Sequence, residues 1–161
     1  PGSPRGAVNV SAVNDFFKKY GWQYEFEPST RTWLTGFRGD TSNFEVLVHL
    51  TDDWLYFIIS PFVNAPREEA CERPLFLHLL RVNHAINMAK FSIDSDGDVV
   101  LTVELPTENL DYSEFADGIN ALSYYADQHY MDVFNLAQDP SYQPREPTAP
   151  PEDWTPNDTM N

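Results

Sequence analysis

Cysteine is almost absent from this 161-residue chain: Cys71 stands alone, so no internal disulfide can staple the fold. A single thiol suits a reducing compartment, and it reads as a half-buried inert side chain rather than a nucleophile. Positive charge is scarce as well. Ten Lys and Arg against 25 Asp and Glu leave a formal net charge of -15. That balance argues against a nucleic-acid phosphate footprint and against attraction to an anionic membrane. No apolar run approaches membrane-spanning length. There is no G-x-S-x-G, no P-loop, no G-x-G-x-x-G and no C-x-x-C.

Histidine is equally thin, and His49, His78, His84 and His129 include no pair four residues apart, so the zincin pattern is missing. His78 and His84 fall on the polar side of a predicted helix, and His129 reads as packing or interface. Asp94-Ser95-Asp96-Gly97-Asp98 resembles the start of a calcium loop. Its glycine comes at the fourth position instead of the sixth, and the twelfth position is Leu105, which has no carboxylate. A hairpin turn is the better reading. The sequence therefore predicts no metal and no cofactor, and it weighs against an enzyme.

What the chain does contain is order. Pro1-Gly2-Ser3 reads as a cloning remnant, which leaves room for a removed targeting segment, and residues 1–9 read as a flexible lead-in. The triplets Asn9-Val10-Ser11 and Asn157-Asp158-Thr159 match the glycosylation pattern by chance frequency. Ser11 is placed to cap a helix with Val13, Phe16, Phe17 and Tyr20 on one side, and Gly21 to end it.

Period-two patterning then predicts strands over 22–27, 32–38, 43–50 and 54–60, joined by short turns and paired consecutively. The last of these is apolar on both faces, which predicts a central strand or a face that meets another subunit. Pro66 and Pro74 suit a first helical turn, and a helix is predicted over 75–89. Leu75, Leu79, Val82, Ile86 and Ala89 form its apolar stripe, widened by Phe76 and Leu80.

A hairpin over 91–94 and 99–105 turns at Asp96-Gly97. Asp111 and Glu114 form a capping box for a last helix that runs to about Leu136. Gly118 interrupts that helix at a cost of about 1 kcal/mol relative to alanine, which predicts close backbone packing. From residue 138 to 161 the chain is polar and rich in proline, and reads as extended or disordered; Trp154 in it is either solvated or docked.

The fold class expected is α+β. An antiparallel sheet carries helices mainly on one face, in the order helix, strands, helix, hairpin, helix, with one domain over 10–137. One layer of helices covers only one sheet face, so aromatic residues on the other would form a patch for protein or peptide contact. Phe16, Tyr20, Trp33, Phe37 and Phe44 are the candidate patch members.

Several short motifs then carry a resemblance. They are Leu79-Leu80-Arg81-Val82-Asn83, Ala89-Lys90-Phe91-Ser92-Ile93-Asp94, Asp96-Gly97-Asp98-Val99, Glu104-Leu105-Pro106 and Tyr125-Ala126-Asp127. Together they resemble the YbjN family and its structural relatives, the type III secretion chaperone-like proteins, over roughly Val13 to Leu136. The resemblance implies a dimeric, non-enzymatic protein that binds polypeptide segments, and the reading expected is a cytoplasmic, homodimeric chaperone-like module. The alternatives are a regulatory protein with one dedicated partner and, third, an unrecognised enzyme. The proline-rich tail departs from the family pattern and could occupy the chain's own groove.

Overall fold

Asn9, not Ser11, starts the first helix: its side chain accepts from the Ala12 N–H at 2.9 Å. Helix α1 spans Val10–Tyr20, and Gly21, at φ 89°, closes it by donating to the Phe17 carbonyl at 2.9 Å. The structure, a computed structural model, describes residues 6–147.

Four strands follow: β1 (Glu25–Glu27), β2 (Thr32–Arg38), β3 (Asn43–Leu50) and β4 (Trp54–Val63). Helix α2 (Glu69–Ala85) leads to the hairpin β5 (Ala89–Ile93) and β6 (Val99–Pro106), and α3 (Tyr112–Leu136) closes the domain. The six strands form one antiparallel sheet in the order β1-β2-β3-β4-β6-β5. β4 is therefore internal in the strand order, as its apolar residues on both faces predict.

The start of α2 differs from the sequence expectation. It begins six residues earlier than predicted, at Glu69, and holds Pro74 in its sixth position. Ile86 is extended, and Met88 takes a positive φ before β5 begins. The helix thus ends where the hairpin needs extended backbone.

The core lies between the sheet and the helices. Phe57, Leu101, Val103 and Leu105 from β4 and β6 meet Phe115, Ile119 and Leu122 from α3. Gly118 sits where a Cβ would come within 3.1 Å of Leu105 and 3.2 Å of Phe57, so its lack of a side chain lets α3 lie close on the sheet. The capping box at Asp111 and Glu114 is formed, and the amides of the first turn hold the Asp111 carboxyl below its usual range.

The Asp-rich turn is structural. Asp94 accepts from the N–H groups of Asp96 and Asp98, Asp98 accepts from Ala65 N–H at 2.7 Å, and Gly97 takes φ 84°. Among the described residues no group of three or more His, Cys, Asp or Glu could hold a metal ion. No described helix is long and apolar enough to cross a membrane.

Two assignments on α2 are corrected. Leu80 points to solvent, while His78, expected on the polar side, is buried. Trp154 lies outside the described residues.

Candidate functional site

Side chains alternate across a strand, so fixing the buried set also fixes the opposite one. Trp33, Val48, Phe57, Val103 and Ala89 form one row under the helices, read through the strand register. One residue along, Leu34 pairs with Leu47, Leu47 with Ile58, Ile58 with Thr102, and Thr102 with Lys90. That second row lies on the face that no described helix covers.

Leu34, Leu47 and Trp54 are exposed at 41%, 38% and 39%. Ile58 and Tyr56 are half-buried. A solvated antiparallel face is ordinarily polar, so a leucine–leucine–isoleucine row across three strands is a departure from the usual alternation.

Polar groups border the row. Thr32 pairs with His49, and its Oγ1 lies 3.3 Å from the His49 Nδ1. The His49 ring stacks on Tyr56 with centroids 6.4 Å apart. Lys90 pairs with Glu104. The surface has an apolar centre and a polar rim, the anatomy of a protein-contact patch.

The five aromatic residues expected at the site lie elsewhere. Trp33, Phe37 and Phe44 are core residues, and this corrects their assignment to an open patch. Trp33 stacks on Phe26 at 4.7 Å and donates its Nε1–H to Asn14 at 2.8 Å. Phe37 stacks between Trp22 and Phe44, and Phe44 continues to Phe62 and Tyr130. Their physical reason is parity: all three face the helical layer.

Phe16 and Tyr20 are half-buried on α1. Phe16 contacts Tyr112 and Phe115 of α3, and Tyr20 donates to Asn120. Burial pushes the Tyr20 hydroxyl above its ordinary value. The structure brings Phe37 and Phe44 together, leaves Trp33 with α1, and puts none of the five on the open sheet face.

The apolar second face of the 54–60 strand, which carries Ile58, was expected from the sequence, whereas Leu34 and Leu47 were not. A signal was present: each is an apolar residue at a strand parity where a half-solvated strand would carry a polar one.

A cavity of about 600 Å³ opens between the end of β4, the start of α2 and the end of α3. Phe62, Arg67, Cys71, Tyr130 and Phe134 line it. Burial and the charges of Glu68 and Asp139 raise the Cys71 thiol above its ordinary value, so the thiolate is suppressed and the group is a poor nucleophile.

No protein-family model matches the sequence, and no curated protein matches it. Solved structures do. One is the heterodimeric ExoU–SpcU complex of the type III secretion system of Pseudomonas aeruginosa. The match has a TM-score of 0.54 at 16% identity and covers 77% of this chain and 96% of that one. The HopA1–SchA chaperone–effector complex matches at 0.51 and 16%, over 74% and 94%. The Yersinia pestis type III secretion chaperone SycH, in complex with a fragment of YscM2, matches at 0.50 and 14%, over 73% and 95%. YbjN from E. coli reaches 0.48, too low a likeness to build on. At these identities the likeness is one of fold, and it agrees with the element order seen here: this chain has the α+β fold of the type III secretion chaperones.

Proposed function

We propose that the chain is a non-enzymatic, chaperone-like module that binds an extended segment of a partner polypeptide on its open sheet face. The observation that carries this reading is the Leu34–Leu47–Ile58 row, flanked by Trp54 and Tyr56, on a face that no described helix covers. Covering apolar surface contributes about 25 cal/mol per Å² removed from water. The net charge of -15 favours partners with basic residues and speeds their encounter. The similar solved structures include chaperone–effector complexes, which supports a polypeptide as the partner class. Work in the cytoplasm fits the lone reduced cysteine.

Phe16 and Tyr20 retain part of their surface and are proposed as a smaller contact along α1. A homodimer is proposed through α2, where Leu77 and Leu80 are exposed three residues apart on one side of the helix. Light scattering of a Leu80→Glu variant tests it: a loss of dimer supports the interface, and a wild-type monomer at all concentrations rules it out.

Binding of Leu34→Asp and Leu47→Asp variants to an array of basic–apolar peptides tests the main reading. Both positions are exposed, so the fold should persist, and at least a tenfold loss of binding is expected. Unchanged binding by both variants would remove the sheet face from the site. Affinity capture separates a chaperone, which takes many unfolded clients, from a regulator with one stoichiometric partner.

A further inference from the structure

Asp132 lies on α3 with 2% of its surface exposed. A buried carboxylate destabilises a fold unless it is paired. Here the pairing comes from the residues after the last helix. Tyr142 Oη donates to Asp132 Oδ1 at 2.7 Å, and Arg145 Nε donates to Oδ2 at 3.4 Å. Arg145 Nη2 also donates to the Gln128 carbonyl at 2.8 Å. Residues 138–147 contain no helix or strand, so side-chain contacts such as these hold the segment on the helical layer.

The surroundings offer more polar capacity than this segment uses. Gln128, His129, Asp132, Arg145, Glu146 and Pro147 line a cavity of about 250 Å³. His129 is 4% exposed, and its Nε2 has no hydrogen-bond partner among the described residues. His78, on α2, is 7% exposed, and its Nε2 is unpartnered in the same sense. Burial holds both imidazoles below their ordinary value, with His78 adding repulsion at His129. Both are therefore neutral near pH 7, and each ring nitrogen can donate or accept according to tautomer. Unpartnered buried polar atoms are rare in folded proteins, and a ligand is one way to complete them.

The occupying segment is also weakly sealed. The Arg145 side chain is 67% exposed and its Nε lies 3.4 Å from Asp132, the long end of hydrogen-bond distance, so the guanidinium is held loosely. A competitor with the same groups and one more polar contact can displace it.

We propose that the Asp132–His129 cavity is a second polypeptide-binding site, for an extended partner segment bearing an aromatic hydroxyl and, three residues later, an arginine. The chain's own Tyr142 and Arg145 take the Asp132 contacts beside it and act as an internal competitor. The partner's chemistry follows from the contacts it must replace. A phenol reaches Oδ1, a guanidinium spans Oδ2 and the Gln128 carbonyl, and the two groups stand three residues apart in the chain. A negatively charged protein favours the arginine-bearing competitor. This site lies on the helical layer and is independent of the sheet face.

The test uses the full chain with Tyr142→Phe and Arg145→Ala, which removes the internal contacts without touching α3. The probe is a fluorescein-labelled peptide with the sequence of residues 138–147, read by anisotropy. At least tenfold tighter binding to the double variant than to the wild type is expected. The same peptide carrying Phe and Ala in place of its Tyr and Arg should not bind. Adding Leu47→Asp to the double variant should leave binding unchanged, which separates this site from the sheet-face reading. Equal binding by wild type and double variant overturns the proposal. So does an absence of binding, equal binding of the altered peptide, or a wild-type dimer that exchanges these segments.

Discussion

The carboxylate of Asp127, on α3, holds Thr41 in the β2–β3 turn: Oδ1 accepts from the Thr41 N–H at 3.0 Å and from its hydroxyl at 3.1 Å. These residues are 86 positions apart, so a helix side chain closes a hairpin loop. The same carboxylate fills the space where Gly39 would carry a Cβ. Asp127→Ala should cost about 2 kcal/mol, the scale of hydrogen bonds to a charged acceptor. Gly39→Ala should cost about as much through overlap with Asp127, and the double variant should cost less than the sum. Urea unfolding midpoints measure all three, and strict additivity would mean that the two residues are not coupled.

Gly118 supplies a second close approach. Its Cα lies over Phe57 and Leu105, where a methyl group barely fits. Gly118→Ala should change stability little, because a helix-propensity gain of about 1 kcal/mol offsets the crowding. Gly118→Leu should destabilise by about 2 kcal/mol through overpacking. Thermal unfolding distinguishes the two, and a leucine variant as stable as the wild type would contradict the packing described.

The outer edge of β5 is met at Phe91 by a side chain of α2. Asn83 of α2 accepts from the Phe91 N–H at 2.8 Å and donates to its carbonyl at 3.0 Å, as a neighbouring strand would. Asn83→Ala should cost about 2 kcal/mol and leave an exposed strand edge open to association. Amide exchange at Phe91 should accelerate, and unchanged protection there would show that another group covers the edge.

Acid should weaken the protein before its carboxylates titrate. Burial lowers His129 from 6.5 to about 4, so between those values the unfolded chain binds the proton and the folded chain does not. Stability present above pH 6.5 is therefore lost as the pH falls to about 4, by about 3 kcal/mol for this group. Asp111 and Asp139 start from 3.8 and Glu27 from 4.5, and hydrogen bonds lower all three, so their losses begin at or just above the bottom of that window and well below pH 5.0. His129→Gln should flatten the decline between pH 6.5 and 5. A variant with the wild-type slope would place the effect on another residue.

Trp33 should behave as a core residue. Its ring is fully buried against Phe17 and Phe26, so Trp33→Ala should cost about 4 kcal/mol. Circular dichroism should show that any loss of peptide binding follows loss of structure. For Leu47→Asp the two should separate, with a change within about 0.5 kcal/mol.

The elements were legible wherever local chemistry decides them. Gly21 stops a helix because positive φ suits it, the Asp111–Glu114 box starts one, and Asp-Gly turns a hairpin. The candidate site was legible only in outline. That one sheet face stays uncovered follows from counting layers, but which residues lie on it depends on parity. Trp33 and Leu34 are adjacent, both apolar, and point to opposite sides. Large aromatic rings suggested the patch, yet rings bury the most area and were drawn into the core.

By itself, then, the sequence determined the α+β class, the order of elements, the acidity and the absence of the common catalytic motifs, because these rest on period, turn chemistry and composition. Tertiary structure alone decided that Tyr142 and Arg145 reach Asp132, that Asp127 reaches Thr41, and that Leu34, Leu47 and Ile58 align across three strands. Those relations join distant positions, and only packing the helices on one face of the sheet brings them together.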